Sequence, residues 1–223
     1  MDTPDHRPRV AAERRERMRA RLLDAAFDLA ATGGPEAVTI DAVIARAGVA
    51  RGSFYKYFDA PATLLQALAV EVSDAMIRAM HPFMEQLADP AERMATGVRT
   101  VLRLVRQSPR MGAFLARSGW PAVQRSHSLF TLVGVDIAAG MASGRLRAMH
   151  IDVALSALTG TVLGAMHAIT SHDTPADLPE QAAAAILRAL GLPADEAEGL
   201  ATRPLAMPTL ATDPLVARWL AAV

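Results

Sequence analysis

Strand-length runs of β-branched residues are missing from this chain. Alanine and leucine dominate it, aromatic residues are 4% of it, and proline or glycine recurs at helix-sized intervals. Ala and Leu give up least on entering a helix, whereas a sheet needs the β-branched and aromatic surface that this sequence lacks. The chain is thereby confined to an all-α fold.

The punctuation marks the segments. A helical period runs over residues 11–32, with Leu22, Ala26, Leu29 and Ala30 on one face, and Gly33-Gly34-Pro35 ends it. A two-turn segment follows, capped by Thr39, in which Ile40, Val43 and Ile44 face inward. Ala47-Gly48-Val49 makes a tight connection, and residues 50–58 resume helix. Asp59 and Pro61 suit the cap and first position of a further helix that stops near Met80, ahead of Pro82. Longer helices are predicted over residues 90–107, 109–118, 121–141, 151–171 and 178–190. Residues 193–214 carry four prolines and read as an extended tail, followed by a last short helix over 214–220.

The formal charge is zero, from 23 basic and 23 acidic residues, and a zero total names no partner. Its distribution says more. Residues 7–21 hold seven Arg against Glu13 and Glu16, and residues 99–147 hold eight Arg against Asp136, while 22–98 and 152–223 are acidic on balance. Lys56 is the only lysine. The second basic block either lines a pocket for an anion or forms solvated helix faces with the acidic C-terminal third as partner across the fold; solvated faces are the simpler expectation.

Several classes drop out. With no cysteine there is no disulfide scaffold, thiolate zinc site or cysteine nucleophile. The N-terminus is charged where a signal peptide is apolar, and no uncharged run of spanning length is expected. A cytoplasmic protein with no membrane partner is the expectation. His167 and His172 are five apart and suit a helical metal pair poorly, and no Gly-x-Ser-x-Gly elbow occurs. No catalytic residue, metal or cofactor is expected, so the chain is not read as an enzyme.

Two short helices joined by a Gly turn, residues 39–58, form a helix-turn-helix pattern. On the second, Phe54 and Phe58 are four apart and pack inward, leaving Arg51, Ser53, Tyr55 and Lys56 on other faces. Gly52 lets the backbone approach a phosphate or base closely. This is a helix with an apolar back and a hydrogen-bonding front.

The ordered stretch Leu23-Asp24-Ala25-Ala26-Phe27, Gly34, Val38-Thr39, and Ile44-Ala45-Arg46-Ala47-Gly48-Val49-Ala50-Arg51-Gly52-Ser53-Phe54-Tyr55-Lys56-Tyr57-Phe58, then Leu64-Leu65, closely resembles the N-terminal domain of TetR-family transcriptional regulators. The resemblance covers about residues 17–67 and is gap-free. It implies a flexible arm over residues 1–10, a helix-turn-helix DNA-binding domain over 11–60, and an effector-binding and dimerisation domain over 61–223. It further implies that Thr39 and Tyr55 hold phosphates, Arg51 and Ser53 contact the groove, and Lys56 contacts phosphate or base. The Arg-rich residues 7–21 either reach the adjacent minor groove, as family arms do, or only solubilise a helix. Two departures stand out. Ala50 replaces the Ser or Thr that often caps the recognition helix, and Pro61 stands where a lysine commonly contacts phosphate.

In the family the C-terminal domain encloses a small molecule, which places Met111, Phe114, Trp120, His127, Phe130, Met166 and His167 as candidate ligand-binding residues. Plain core packing is the alternative for most of them. Gly160 and Gly164 lie one turn apart in an apolar helix, and Ala182 to Ala185 give the next a small-residue face. In the family the corresponding helices pair in a homodimer. The expected function is a repressor of double-stranded operator DNA released by an effector. The alternative is an effector-independent or corepressor-dependent DNA-binding protein.

Overall fold

The computed structural model describes residues 6–205 and 214–221, and every regular element among them is helical. The chain divides into two compact units, residues 1–68 and 69–223.

The first unit holds α1 (His6–Gly33), α2 (Ile40–Ala47), α3 (Arg51–Tyr55) and the start of α4 (Pro61–Met84). Helix α1 begins inside the segment expected as an arm. Its only breaker there, Pro8, sits in the first turn, where a missing N–H costs nothing. Leu22, Leu23, Ala26, Phe27 and Ala30 repeat at helical spacing and are buried with Val38, Val43, Ala47, Phe54, Phe58 and Leu64. Arg46 donates through Nε and Nη2 to Asp28 Oδ2, at 3.1 and 2.7 Å, and so ties α2 to α1.

In the second unit, α5 (Pro90–Gln107), α6 (Pro109–Val123), α7 (Gly134–Ala142), α8 (Ile151–Ser171), α9 (Leu178–Ala189) and α10 (Ala194–Ala201) pack around one core, and α11 spans Pro214–Ala221. Helix α5 buries Ala91, Met94, Ala95, Val98, Leu102 and Val105 along one stripe and packs on α8, α9 and α10, while α8 also lies on α6.

Four expectations change. Helix α4 continues through Pro82 to Met84, with the one backbone hydrogen bond that proline cannot donate given up in the last turn. The helix predicted over 109–118 runs to Val123, but it breaks at Gly119, whose φ of 52° and ψ of −148° suit only glycine. The helix predicted over 121–141 is divided: a turn at 124–125 precedes a π-helical segment, Leu129–Val133, that leads into α7. The predicted tail contains α10, held by buried Ala197, Leu200 and Ala201.

A fifth concerns α8. Residues 153–172 carry no Asp, Glu, Lys or Arg, so α8 is long and apolar enough, by length and composition, to cross a membrane. Ala154, Leu155, Leu158, Thr159, Ala165 and Met166 bury one face of it in the core, while Val153, Ser156, Gly160, Gly164 and His167 lie exposed on another.

Much of the second basic block is consumed inside this unit. Arg99, 3% exposed, pairs with Glu180 at 3.2 Å and donates to the Arg203 carbonyl at 2.7 Å. Arg103 reaches the same Glu180 oxygen at 2.6 Å, and Arg106 donates to Thr174 Oγ1 and the Pro175 carbonyl. Arg145 grips Asp89 with two bonds, 2.8 and 2.7 Å, and Glu196 at 2.8 Å. Asp89 meanwhile caps α5, accepting from the Ala91 N–H at 2.9 Å. Burial raises the Glu180 carboxyl, but the hydrogen bonds from Arg103 and Arg99 outweigh it and hold the group below its usual range. The basic block and the acidic third are partners across the fold.

Candidate functional site

The front of α3 is built by what holds its back. Phe54 is fully buried, its ring meeting those of Tyr55 edge-on at 5.6 Å and Phe58 at 6.1 Å. The remaining side chains are forced outward: Arg51, Tyr55 and Lys56 are exposed, and Ser53 is half-buried. Gly52 is exposed too, and a Cβ there would meet no atom within 4 Å.

Upstream, Thr39 caps α2 by accepting from the Ala42 N–H at 3.2 Å, which leaves its hydroxyl hydrogen available outward. Gly48 turns the chain between the helices at φ 62°, and a Cβ there would stand 3.1 Å from Arg21 Nη2. Ala50 precedes α3 in extended conformation and gives it no side-chain cap. One contact was not legible in the sequence: Arg51 Nη1 donates to Asp41 Oδ1 at 2.8 Å, both groups being well exposed.

The second unit contains a half-open cavity of about 180 Å³. Met76, Ile77, Met80 and Met84 supply its α4 wall, Met94, Val98 and Val101 its α5 wall, and Leu158, Val162 and Met166 its α8 wall. Leu115, Gly119, Ala122 and Val123 of α6, with Leu129, Leu132 and Val133 of the π-helical segment, add further apolar lining. Polar groups are few: Ser73, His81, Arg93, Ser126, Asp136 and Thr159.

Behind the wall, Asp74 on α4 is 7% exposed. It accepts from Ser126 Oγ at 2.6 Å, Ser128 N at 3.0 Å and His127 N at 3.3 Å, and so caps the helical segment that follows. Among the described residues no group of three or more His, Cys, Asp or Glu side chains is placed to hold a metal.

Residues 22–68 match the family of bacterial regulatory proteins called tetR, and residues 89–203 match the tetracyclin repressor-like C-terminal domain. This chain belongs to the TetR family. Its structure is similar to that of RolR in complex with resorcinol, with a TM-score of 0.76 and 30% identity, covering 87% of this chain and 98% of RolR. Ligand-free RolR matches with a TM-score of 0.74 at the same identity, covering 84% and 98%. The transcriptional repressor KstR of Rhodococcus jostii is 34% identical over 110 residues, 49% of this chain and 50% of KstR. An uncharacterised HTH-type regulator of Mycobacterium tuberculosis is 29% identical over 112 residues, 50% of this chain and 55% of its own length. The chain spans about half the length of these curated relatives.

Within this TetR-family chain, Thr39, Arg51, Gly52, Ser53, Tyr55 and Lys56 all belong to α2, α3 and their caps. The candidate ligand residues scatter instead. Met166 lines the cavity. Phe114 is buried without being among the lining residues, His127 and Phe130 are exposed, and the side chains of Met111 and Trp120 lie outside the described residues. His167 is exposed as well, because adjacent helical residues point about 100° apart and Met166 takes the inward direction. The methionine row of α4, at positions 76, 80 and 84, lines the cavity without being among the sequence-derived candidates, although its i, i+4, i+8 spacing is plain in the sequence.

Proposed function

We propose that this TetR-family regulator is a homodimeric repressor that acts in the cytoplasm, reads near-palindromic double-stranded DNA with α3, and is released when a small molecule occupies the cavity of its second unit. The exposed front of α3 over its buried Phe54 and Phe58 back is the observation that carries the DNA reading. Thr39, Tyr55 and Lys56 meet phosphates and Arg51 and Ser53 meet base edges, with Gly52 giving close approach. The cavity supports the effector reading over an effector-independent one, which a filled core would have favoured. RolR, similar over nearly its full length, has been crystallised with resorcinol and without ligand.

Self-association uses the outward face of α8, where a Cβ at Gly160 or Gly164 would meet no atom within 4 Å, together with α9. An effector acts only through different affinities for the DNA-competent and released states.

The test is fluorescence anisotropy on an operator selected from a random DNA pool. Lys56→Ala is expected to weaken binding across sequences and lower the salt slope by roughly one, whereas Arg51→Ala relaxes sequence preference. Unchanged affinity and preference in both variants refutes the assignment of α3.

A further inference from the structure

Arg93 lines the cavity in an unusual bonding state. Its Nη1 donates to the Leu87 and Ala88 carbonyls at 2.6 and 3.2 Å, which anchors the guanidinium at the start of α5. Its Nε stands 3.1 Å from Asp136 Oδ2, an ion-pair distance. The N–H is nevertheless not aligned on that oxygen, and the buried Nε has no hydrogen-bond acceptor. Asp136 also lines the cavity and is only 28% exposed. The apolar chamber is therefore lined by one Arg–Asp pair whose charges cancel and whose own hydrogen bonding is incomplete.

The Nε itself is too buried for a ligand to reach, but a ligand group that hydrogen-bonds the accessible atoms of this charged pair gains more than a neutral hydrogen bond is worth. One hydroxyl answers both partners, accepting from Arg93 and donating to Asp136. A carboxylate does not, since it brings a second negative charge against Asp136 in a low-dielectric chamber.

Size sets the rest of the molecule. An engineered apolar cavity of about 150 Å³ holds benzene, so about 180 Å³ holds one ring with one or two small substituents. Five methionines face it, Met76, Met80, Met84, Met94 and Met166, and thioether sulfur packs favourably on aromatic rings.

We propose that the cavity takes an uncharged single-ring phenol, with Arg93 and Asp136 as the pair that recognises its hydroxyl. Such a hydroxyl, with a pKa near 10 as in tyrosine, stays neutral at pH 7. The proposal rests on the cavity being the effector site and names the ligand class and the residues that select it.

Isothermal titration of the full chain with three probes tests it: resorcinol, m-xylene of matching shape without hydroxyls, and 3-hydroxybenzoate. Resorcinol is expected to bind at least about tenfold tighter than either of the others. Arg93→Gln and Asp136→Asn are each expected to weaken resorcinol about tenfold or more and to leave m-xylene within roughly twofold. Equal binding of resorcinol and m-xylene overturns the proposal, as does parent-like resorcinol binding by both variants. If the variants do not fold, the parent's ranking of the three probes decides. Operator affinity is measured alongside. Resorcinol that binds with this ranking but leaves DNA bound supports the recognition pair and defeats the release mechanism, whereas intact DNA binding with no resorcinol binding defeats the recognition pair.

Discussion

Replacing Asp74 with alanine isolates the clamp behind the cavity wall. Three donors converge on this carboxylate: Ser126 Oγ at 2.6 Å, Ser128 N at 3.0 Å and His127 N at 3.3 Å. Asp74, Ser126 and Ser128 are each less than a tenth exposed, so water does not replace the lost oxygens readily. Leaving a buried donor unmet costs about 1–3 kcal/mol. The Ser128 N–H cannot move, the Ser126 hydroxyl can rotate, and the long His127 contact adds little; together they give a loss of about 3 kcal/mol for Asp74→Ala.

Asp74→Asn keeps one oxygen for Ser126 and Ser128 and gives up the charge, for a loss of about 1–1.5 kcal/mol. Ser126→Ala removes both its bond to Asp74 and its cap on the Leu129 N–H, at about 2 kcal/mol. The double variant Asp74→Ala/Ser126→Ala is expected to lose less than the sum, since both changes delete one shared bond. Urea unfolding followed by tryptophan fluorescence reads these losses in the right unit, because Trp120 and Trp219 both lie beyond residue 68. Protein concentration is held fixed, as association shifts apparent stability. An Asp74→Ala midpoint within about 0.5 kcal/mol of the parent, or equal losses for Asp74→Ala and Asp74→Asn, would refute the clamp.

Three further outcomes are expected. Ala50→Ser supplies the cap that α3 lacks and raises the stability of the first unit by about 0.5–1 kcal/mol, read by hydrogen exchange at α2 and α3 amides. Asp41→Asn releases Arg51 from an exposed ion pair worth about 0.2–1 kcal/mol and removes a negative charge beside α3, the helix proposed to read DNA. Operator affinity should then rise about two- to fivefold at low salt, with the gain shrinking as salt is added. The hydrogen bond from Arg145, aided by the Ala91 N–H, outweighs burial and holds Asp89 below 3.8. Its depressed pKa stabilises the fold above that pH, and the contribution is lost as pH falls through the folded-state value. The stability gap between the parent and Asp89→Asn, measured by thermal melts from about pH 6 to about pH 3, should therefore narrow below about pH 4.

Local signals made the first unit legible. Thr39, Gly48 and the Phe54/Phe58 pair each specify a cap, a turn and a buried back within a few residues of themselves, and the front of α3 follows by subtraction. The second unit resisted where its chemistry depends on partners far apart in the chain. Nothing in the sequence near Arg99 points to Glu180, nor near Arg145 to both Asp89 and Glu196, so the basic block stayed ambiguous until the helices were packed. His167 was misplaced for another reason. Apolar α8 gives no binary pattern by which to tell its inward from its outward face, and only contact with α5, α6 and α9 decides between neighbours such as Met166 and His167. The division of residues 121–141 also lay beyond composition, because it depends on a cap supplied by Asp74 from another helix.

The division of labour between the cavity wall and the bonds around it bears on how such a protein changes over generations. The apolar lining is mainly Met, Leu and Val, which hold their places by packing alone, and exchanges among similar hydrophobes usually cost less than about 1.5 kcal/mol. The directional bonds that fix the frame, Asp74 to Ser126, Asp89 to Arg145 and Glu180 to Arg99 and Arg103, use carboxylates that are not among the lining residues. A lineage carrying this frame can vary the apolar part of the chamber at little cost to its fold, whereas Ser126, which both lines the chamber and bonds Asp74, is held by the frame and is not free to change.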